Sequence, residues 1–257
     1  MNPVEIAIRS LDAPMTPPKA YGLFHICLII GGMSFCILLA WLLRNIDEKK
    51  NKIVLLSVAS VLILSEIVKQ LFLYYVTNNG AVAWGEFPFQ MCSMPMYLCP
   101  IAVFCKNEKI KRAAYGFMMT FNMLGGLAGV FEPSGVFHSQ VFLTVHSITW
   151  HYLLVFLGVY IILSGRSGSK MDDYYDVVKL FVMLCFIAFI INTLIGITVG
   201  AEANMFFVGP NNSPIIVFSA IAAKFGWVAS TLIYVPVTSI AAGGLFGLAS
   251  LKKRKKA

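Results

Sequence analysis

Residues 87–105 read FPFQMCSMPMYLCPIAVFC, an apolar segment that carries a thiol, Cys92, a few residues inside its first end. A segment of about 20 apolar residues is long enough to cross the hydrocarbon core of a bilayer. The segment therefore predicts a membrane span. Whether its thiol is reactive or merely packed depends on a second apolar segment, residues 141–164, in which VHSITWH places His146 and His151 within hydrocarbon.

The composition of the whole chain is that of a membrane protein. Of the 257 residues, 58% are hydrophobic and only 12% are charged, which excludes a soluble domain. Residues 1–20 lack the basic start and the small-residue cleavage site of a signal peptide, and the apolar run that follows is long enough to span. We expect this first span to be retained.

Seven segments reach the length of a membrane span. They predict an all-α, polytopic transmembrane helix bundle at residues 22–250, between an N-terminal tail at 1–21 and a basic cytoplasmic tail at 251–257. The seven predicted spans are residues 22–43, 53–77, 88–105, 113–131, 141–164, 177–199 and 227–250.

An eighth apolar segment, residues 215–223, is too short to be counted as a span. It is bounded by polar residues, a proline and a lysine: Asn211, Asn212, Pro214 and Lys224. We predict that it re-enters the membrane or lies at the interface.

Basic residues concentrate in the loops after spans one, three and five and in the C-terminal tail. Outside the tail they are Arg44, Lys49, Lys50, Lys52, Lys106, Lys109, Lys111, Arg112, Arg166 and Lys170, whereas the loops of the other side hold Arg9, Lys19 and Lys224. Because cytoplasmic loops carry the excess of Lys and Arg, this predicts an outside N-terminus and a cytoplasmic C-terminus in a multi-pass protein of the cell membrane. The formal charge of +8 thus indicates a membrane face and not a nucleic-acid partner.

Span two carries three polar side chains, Glu66, Lys69 and Gln70, at positions i, i+3 and i+4. This spacing places them on one face of a helix. The face must look into the bundle, because a charge in lipid is unfavourable by at least a few kcal/mol. An internal ion pair between Glu66 and Lys69 and a role in a functional site are both open.

Depth along the spans brings further polar groups to one zone. At a rise of about 1.5 Å per residue, Cys92 and His146 lie roughly 6 to 8 Å from the outer ends of their spans, and Glu66 and His151 roughly 15 Å. Asn122 of span four reaches a similar middle level. A thiolate beside an imidazole is what an acyl-transfer nucleophile needs.

Each of these residues also has a purely structural interpretation. A free cysteine often packs as a small apolar residue, and a membrane histidine often bonds a neighbouring helix. His146 and His151 are also about 140° apart around their helix, so both cannot point squarely at one thiol. The histidine that faces Cys92 therefore stays open.

Neither a metal nor a cofactor is indicated by the sequence. The six cysteines lie in or beside apolar runs, with no C-x-x-C pair, and this argues against disulfides. Cys92 and Cys99 are about 10 Å apart along a helix, too far to share one ion. We find no zinc-binding histidine motif, G-x-S-x-G, Walker loop or dinucleotide fingerprint.

Three short motifs give the chain a familiar order: FPFQMCSMPMYLCPIAVF, then HSITWH, then ANMFFVGPNNSP with GW at 226–227. In these the chain resembles the bacterial YwaF-like integral membrane proteins, whose animal relative is a transmembrane acyltransferase acting on ether phospholipids. The resemblance implies six to seven helices, with Cys92 carrying the acyl group and His146 or His151 activating it. Asn204 matches the polar position after span six, although AEANMFFV lacks the tyrosine expected after that asparagine.

The sequence thus leads to a membrane-embedded lipid acyltransferase or acyl hydrolase with a Cys–His pair in the outer half of the bundle and membrane phospholipids as its partners. Glu66 would orient the histidine, and Gln90, Ser93 or backbone amides near Phe89 would stabilise the oxyanion. Lys69, Gln70, Asn122 and Asn204 would support the site.

Two alternatives to this enzyme are open. One is a transporter or ligand sensor with a buried Glu/Lys/His pocket, in which Cys92 only packs. The other is a membrane protein without catalysis. The acyl chain, head group, acceptor and oligomeric state, including a homo-oligomer, are open as well.

Overall fold

The computed structural model describes residues 1–210, 213 and 215–254, and these residues form helices and no strand. The α-helices are α1 (Pro3–Arg9), α2 (Leu23–Leu43), α3 (Glu48–Phe72), α4 (Pro95–Phe104), α5 (Glu108–Phe117), α6 (Met123–Phe131), α7 (Val141–Ser164), α8 (Met171–Val199), α9 (Ile216–Phe225) and α10 (Trp227–Arg254). Two π-helical turns, Leu73–Thr77 and Met118–Asn122, extend α3 and join α5 to α6.

In the described part of the chain, six helices are long and apolar enough to cross a membrane. They are Leu23–Leu43, Glu48–Thr77, Glu108–Phe131, Val141–Ser164, Met171–Val199 and Trp227–Leu251. Each of them covers one of the seven predicted spans.

The remaining predicted span, residues 88–105, is shorter in the structure, so seven spans are not confirmed. Its helical part is Met91–Phe104, a 3₁₀ turn at Met91–Ser93 followed by α4. Proline fits the first position of a helix, where no internal bond to its nitrogen is needed, and Pro95 stands at the start of α4. The α-helix therefore starts at Pro95, directly after the short 3₁₀ turn, and the extended residue Gln90 precedes that turn.

The segment predicted to re-enter or lie at the interface forms the short helix α9. The residues predicted to set it off, Asn211, Asn212 and Pro214, lie outside the described residues, as do residues 255–257 of the predicted basic tail.

Ion pairs connect the regions of the basic loops after predicted spans one, three and five at one end of the bundle. Arg166 contacts Glu48 at 2.8 Å. In the first turns of α5, which follow the predicted third span, Lys109 approaches Asp176 at 3.3 Å, and Arg112 pairs with Asp173 at 3.1 Å. The loops predicted to be cytoplasmic thus share one end.

The opposite end is closed by the N-terminal segment. Ile8 of α1 is buried in a cluster with Phe72, Leu73 and Leu143. The following segment runs beside the start of α7, where Pro14 pairs with Gln140. Burying these apolar contacts holds the N-terminal segment over the ends of α3 and α7.

Candidate functional site

The turn that carries Cys92 is held from two sides through its backbone. Asn122 donates from Nδ2 to the Met91 carbonyl at 2.6 Å, and Trp150 donates from Nε1 to the Cys92 carbonyl at 3.0 Å. These bonds satisfy carbonyls that a continuous α-helix would have paired internally. The π-helical turn before α6 and helix α7 therefore fix the position of Cys92, which is itself half-buried.

A buried loop after α8 holds the same turn from a third side. Gln90 donates to the Asn204 carbonyl at 3.2 Å and accepts from the Phe206 amide at 2.9 Å. Phe206 and Phe207 have left-handed φ angles of 54° and 56°, a conformation that is strained in residues with a side chain. The Gln90 side chain is thus engaged by this loop, and the Asn204 side chain accepts from the Gly209 amide at 2.9 Å.

Glu66 is the centre of a buried polar cluster toward the C-terminal end of α3. Its Oε1 accepts from Gln70 at 2.7 Å and lies 3.1 Å from Lys69 Nζ. Its Oε2 faces His146 Nε2 at 4.0 Å. Lys69 also approaches Glu86 at 3.5 Å. Because Gln70 and Lys69 both take Oε1, the second carboxylate oxygen is left to the imidazole.

His146 is buried and incompletely bonded. Its Nδ1 has no hydrogen-bond partner, while Nε2 points toward Glu66. Its ring lies 5.2 Å from the Trp150 ring, between centroids. His146 is therefore one helical turn from the indole that binds the Cys92 carbonyl, with one ring nitrogen unused.

His151 faces a different helix. Its Nδ1 donates to the Ser147 carbonyl at 2.7 Å, and its ring packs on Gly129 of α6, where a Cβ would lie 2.2 Å from Cδ2. His146 therefore contacts α3 through Glu66, whereas His151 contacts α6 through Gly129. Among the described residues, no hydrogen bond joins the Cys92 sulfur to either imidazole.

The Cys92 thiol nevertheless lies within the field of the Glu66 cluster. Lys69 and Glu66 both interact with it electrostatically. The thiol, the imidazole and the ion pair therefore belong to one neighbourhood that lies between α3, α7 and the turn.

A groove of about 180 Å³ runs along this neighbourhood between α3 and α7. It is lined by Leu62, Ser65, Phe142, Val145, His146, Thr149, Trp150 and Leu153. Val145 is 55% exposed, so the groove opens on the outer surface of the bundle. Cys92 does not line it, because Trp150 stands between the groove and the turn.

Two unpaired buried polar atoms lie on residues close to this turn. In the described residues four such atoms have no hydrogen-bond partner: Asn122 Oδ1, His146 Nδ1, Arg166 Nε and Tyr234 Oη. Asn122 bonds the turn, and the His146 ring lies beside Trp150, which bonds the Cys92 carbonyl. A buried polar atom without a partner is unfavourable by about 1 to 3 kcal/mol, so these two atoms make the surroundings of the turn the candidate site.

Sequence reasoning missed Trp150 and Glu86. Trp150 stands directly before His151, and its position four residues after His146 is a signal that was available. Glu86 joins the site through its contact with Lys69, and no spacing in the sequence marks it. Among the described residues, no group of three His, Cys, Asp or Glu could hold a metal ion.

Apolar helices of spanning length, with charges confined to helix ends and one internal cluster, define a polytopic helical membrane protein. A family model then gives the relationship: the TMEM164 family model matches residues 20–244. The chain belongs to the TMEM164 family. No curated protein and no solved structure matches it.

Proposed function

We propose that this protein is a membrane-embedded lipid acyltransferase or acyl hydrolase, with Cys92 as the nucleophile and His146 as the base. The observation that carries the proposal is the setting of His146. Its side chain is buried, its Nδ1 is unpaired, its Nε2 faces Glu66, and its ring lies tilted beside the indole that bonds the Cys92 carbonyl. A base needs a free nitrogen in reach of the proton that it takes.

The reaction has two halves. In the first, the Cys92 thiol gives its proton to His146 Nδ1, sulfur bonds the ester carbonyl carbon of a phospholipid, and the ester C–O bond breaks. The leaving alkoxide takes the proton from the imidazolium. In the second, an acceptor alcohol gives its proton to His146 and attacks the thioester, and sulfur leaves and is reprotonated. With water as acceptor, the same steps release a fatty acid.

Glu66 has the role of an orienting group. Its Oε2, 4.0 Å from His146 Nε2, favours the tautomer with a proton on Nε2 and leaves Nδ1 free to accept. The same carboxylate stabilises the imidazolium that forms during the reaction. Lys69 and Gln70 hold Glu66 in place through its other oxygen.

The groove between α3 and α7 supports lateral access from lipid. Most of its lining is apolar, His146 is on its wall, and its opening is on the surface that faces the hydrocarbon in a membrane. Trp150 separates it from Cys92, so the ester must pass the edge of the indole to meet the sulfur.

We place this site in the outer half of the cell membrane, with the N-terminus outside and the C-terminus in the cytoplasm. The support is the excess of Lys and Arg in the loops that meet at the other end of the bundle. The site and the basic loops lie at opposite ends of α3.

A pocket for a proton or a polar ligand is the second candidate function. Side-chain exposure falls from 62% at Glu86 to 15% at Lys69 and 7% at both Glu66 and His146. This is a graded path from the surface to a buried imidazole, of the kind that transporters use. Under this function Cys92 would be dispensable.

Capture of the acyl-enzyme tests the proposal. The purified protein in vesicles is incubated with a phospholipid that carries a radioactive acyl chain, and the bound label is released with neutral hydroxylamine. We expect hydroxylamine-sensitive label on the wild type and on the Cys27→Ala control, an exposed cysteine on α2, and none on Cys92→Ala. Equal labelling of Cys92→Ala, or none on the wild type, would overturn the enzyme.

A further inference from the structure

Asn122 bonds the turn that carries Cys92 with one atom of its amide and leaves the other atom unpaired. Its Nδ2 donates to the carbonyl of Met91, the residue before Cys92, at 2.6 Å. Because a carbonyl oxygen only accepts hydrogen bonds, this contact fixes which amide atom is the nitrogen. The residue is 0% exposed, and its Oδ1 has no hydrogen-bond partner among the described residues. A buried acceptor beside Cys92 is therefore unsatisfied in the resting protein.

The local backbone brings this amide to the turn. Asn122 is the last residue of the π-helical turn Met118–Asn122, and such turns are frequent at functional sites. Thr120, the other polar residue of the π-helical turn, donates its hydroxyl to the Gly116 carbonyl of its own helix at 2.8 Å. Asn122 is thus the polar side chain through which the π-helical turn contacts the surroundings of Cys92.

His146 presents a second unsatisfied acceptor. Its side chain is 7% exposed, its Nε2 faces Glu66, and its Nδ1 has no partner. Its ring lies beside Trp150, whose indole bonds the Cys92 carbonyl. Two buried acceptors therefore approach the same turn, one through the Met91 carbonyl and the other beside the indole.

These two acceptors match one kind of attacking group better than another. An alcohol has a single proton on its oxygen, and a general base takes that proton during attack, so none is left for the Asn122 oxygen. Water has two protons and can bond both acceptors. A primary amine also has two once it is deprotonated, but at neutral pH it is an ammonium ion, and burying such a charge is strongly unfavourable.

We propose that the acyl group on Cys92 is passed to water, bonded by His146 Nδ1 and Asn122 Oδ1, and that the protein is an acyl hydrolase. This inference rests on the proposed function. His146 takes one proton as the water oxygen bonds the thioester carbonyl carbon, the C–S bond breaks, and the thiolate of Cys92 takes the proton from the imidazolium. The second proton stays on the oxygen and becomes the acid proton of the released fatty acid.

The partition of the acyl group between water and an alcohol tests this inference. Cys92 is loaded in vesicles of phosphatidylcholine and phosphatidic acid with radioactive acyl chains, because these head groups carry neither an alcohol nor an amine. Lysophosphatidylcholine is then added as the alcohol. We expect most of the label in free fatty acid, with one heavy oxygen atom when the water is isotopically labelled. Label mainly in acylated lysophosphatidylcholine would overturn the hydrolase alone, whereas an unlabelled wild type would overturn the proposed function.

Asn122→Leu tests the role of the amide, since leucine is of similar size and has no acceptor. We expect the ratio of hydrolysis to alcohol transfer to fall by about 3- to 10-fold, as the loss of one hydrogen bond predicts. The ratio compares two reactions of the same thioester, so slower loading or a smaller folded fraction does not change it.

Thr120→Val is the matched control, because it loses a buried hydroxyl bond in the same π-helical turn. We expect it to keep the wild-type ratio. An unchanged ratio in Asn122→Leu, or an equal fall in Thr120→Val, would overturn the role of Asn122. If Asn122→Leu does not fold, the wild-type partition still decides between water and the alcohol.

Discussion

The bundle holds two buried polar networks, one toward each end, and they are built in opposite ways. Toward the end with the basic loops, Asn51 donates to Tyr115 at 2.8 Å and accepts from Tyr160 at 2.8 Å, while Arg166 joins Glu48 and the Ile46 carbonyl. Toward the other end, the network of Glu66, Lys69, Gln70 and Glu86 reaches His146 and stops at an unpaired nitrogen.

This difference distinguishes a network that holds helices together from a network that borders the candidate site. The Asn51 network joins residues of three helices, and nearly all of its polar atoms are hydrogen-bonded. Arg166 Nε is its one unpaired atom. The Glu66 network lies beside a groove and a thiol, and the unpaired His146 and Asn122 atoms are near it. A network that only holds helices together gains nothing from unused buried groups. The second network, which borders the groove, is therefore the one to which the proposed function assigns a ligand.

Replacing His146 should have the largest effect and should be confined to activity. Loss of a general base lowers the rate by about 10²- to 10⁴-fold. Because His146 Nδ1 has no protein partner, we expect His146→Gln to fold with nearly wild-type stability. Single-turnover labelling of Cys92 and thermal unfolding measure the two quantities on one preparation.

His151→Gln is the comparison that assigns the base. We expect it to label Cys92 much faster than His146→Gln does. The reverse order would transfer the role of base to His151, whose Nδ1 is already bonded by Ser147.

Asn51→Leu should break the Asn51 network. In contrast to His146→Gln, it should lower stability and leave activity unchanged. It leaves the hydroxyls of Tyr115 and Tyr160 without this partner, and we expect the free energy of unfolding to fall by about 2 to 3 kcal/mol. The rate per folded molecule should not change. Unfolding in a denaturing detergent titration, combined with labelling, checks both expectations.

Adding Tyr160→Phe to Asn51→Leu sharpens the same test. Removing both partners of a buried hydrogen bond is less unfavourable than removing one. The double variant should therefore be less destabilised than the sum of the single variants. If the losses of stability in the two single variants simply add, Tyr160 and Asn51 do not act through a shared hydrogen bond, and this interpretation is contradicted.

Trp150→Phe should have an intermediate effect, since it keeps an aromatic ring and removes the bond to the Cys92 carbonyl. We expect a loss of about 1 kcal/mol in stability and a lower labelling rate, because the turn is no longer fixed. A wild-type rate in this variant would show that the indole bond is not what positions the thiol.

The smallest effect should come from His138, in the loop before α7. Burial lowers the pKa of His138 below its usual value, the Glu86 carboxylate opposes this and Lys69 adds to it. The unfolded chain then binds the proton first, so stability should fall as pH drops from the ordinary histidine pKa of about 6.5 toward the lowered one. We expect His138→Gln to flatten this slope, and an unchanged slope would exclude His138 as its source.

Sequence and structure agree most closely where a physical rule has few exceptions. Long apolar runs must be helical in lipid, and six of the predicted spans are helices of spanning length. The spacing of Glu66, Lys69 and Gln70 predicted one face, and the structure has these side chains in contact. The segment at residues 88–105 differs, because hydropathy does not show where a helix begins. Helix α4 starts at Pro95, and only a 3₁₀ turn precedes it.

The candidate site depends on features that a linear count of depth leaves out. Depth grouped Glu66 with His151, yet Glu66 faces His146, since a count along each helix ignores tilt and the π-helical turn at Leu73–Thr77. The residues of the loop at Phe206 enter through contacts with Gln90, a distant part of the chain. Their side chains are ordinary apolar or aromatic residues in the sequence, and only the fold shows what they adjoin.

The proposal that Cys92 is a reactive thiol beside the Glu66 network is tested most directly by mass spectrometry. The intact protein and its peptides are analysed after incubation with phospholipid vesicles. We predict one added acyl chain per protein, located on the peptide that contains Cys92, removed by hydroxylamine and strongly reduced in His146→Gln. An adduct on Cys27 or Cys105 instead, or none at all on folded wild-type protein, would contradict the account.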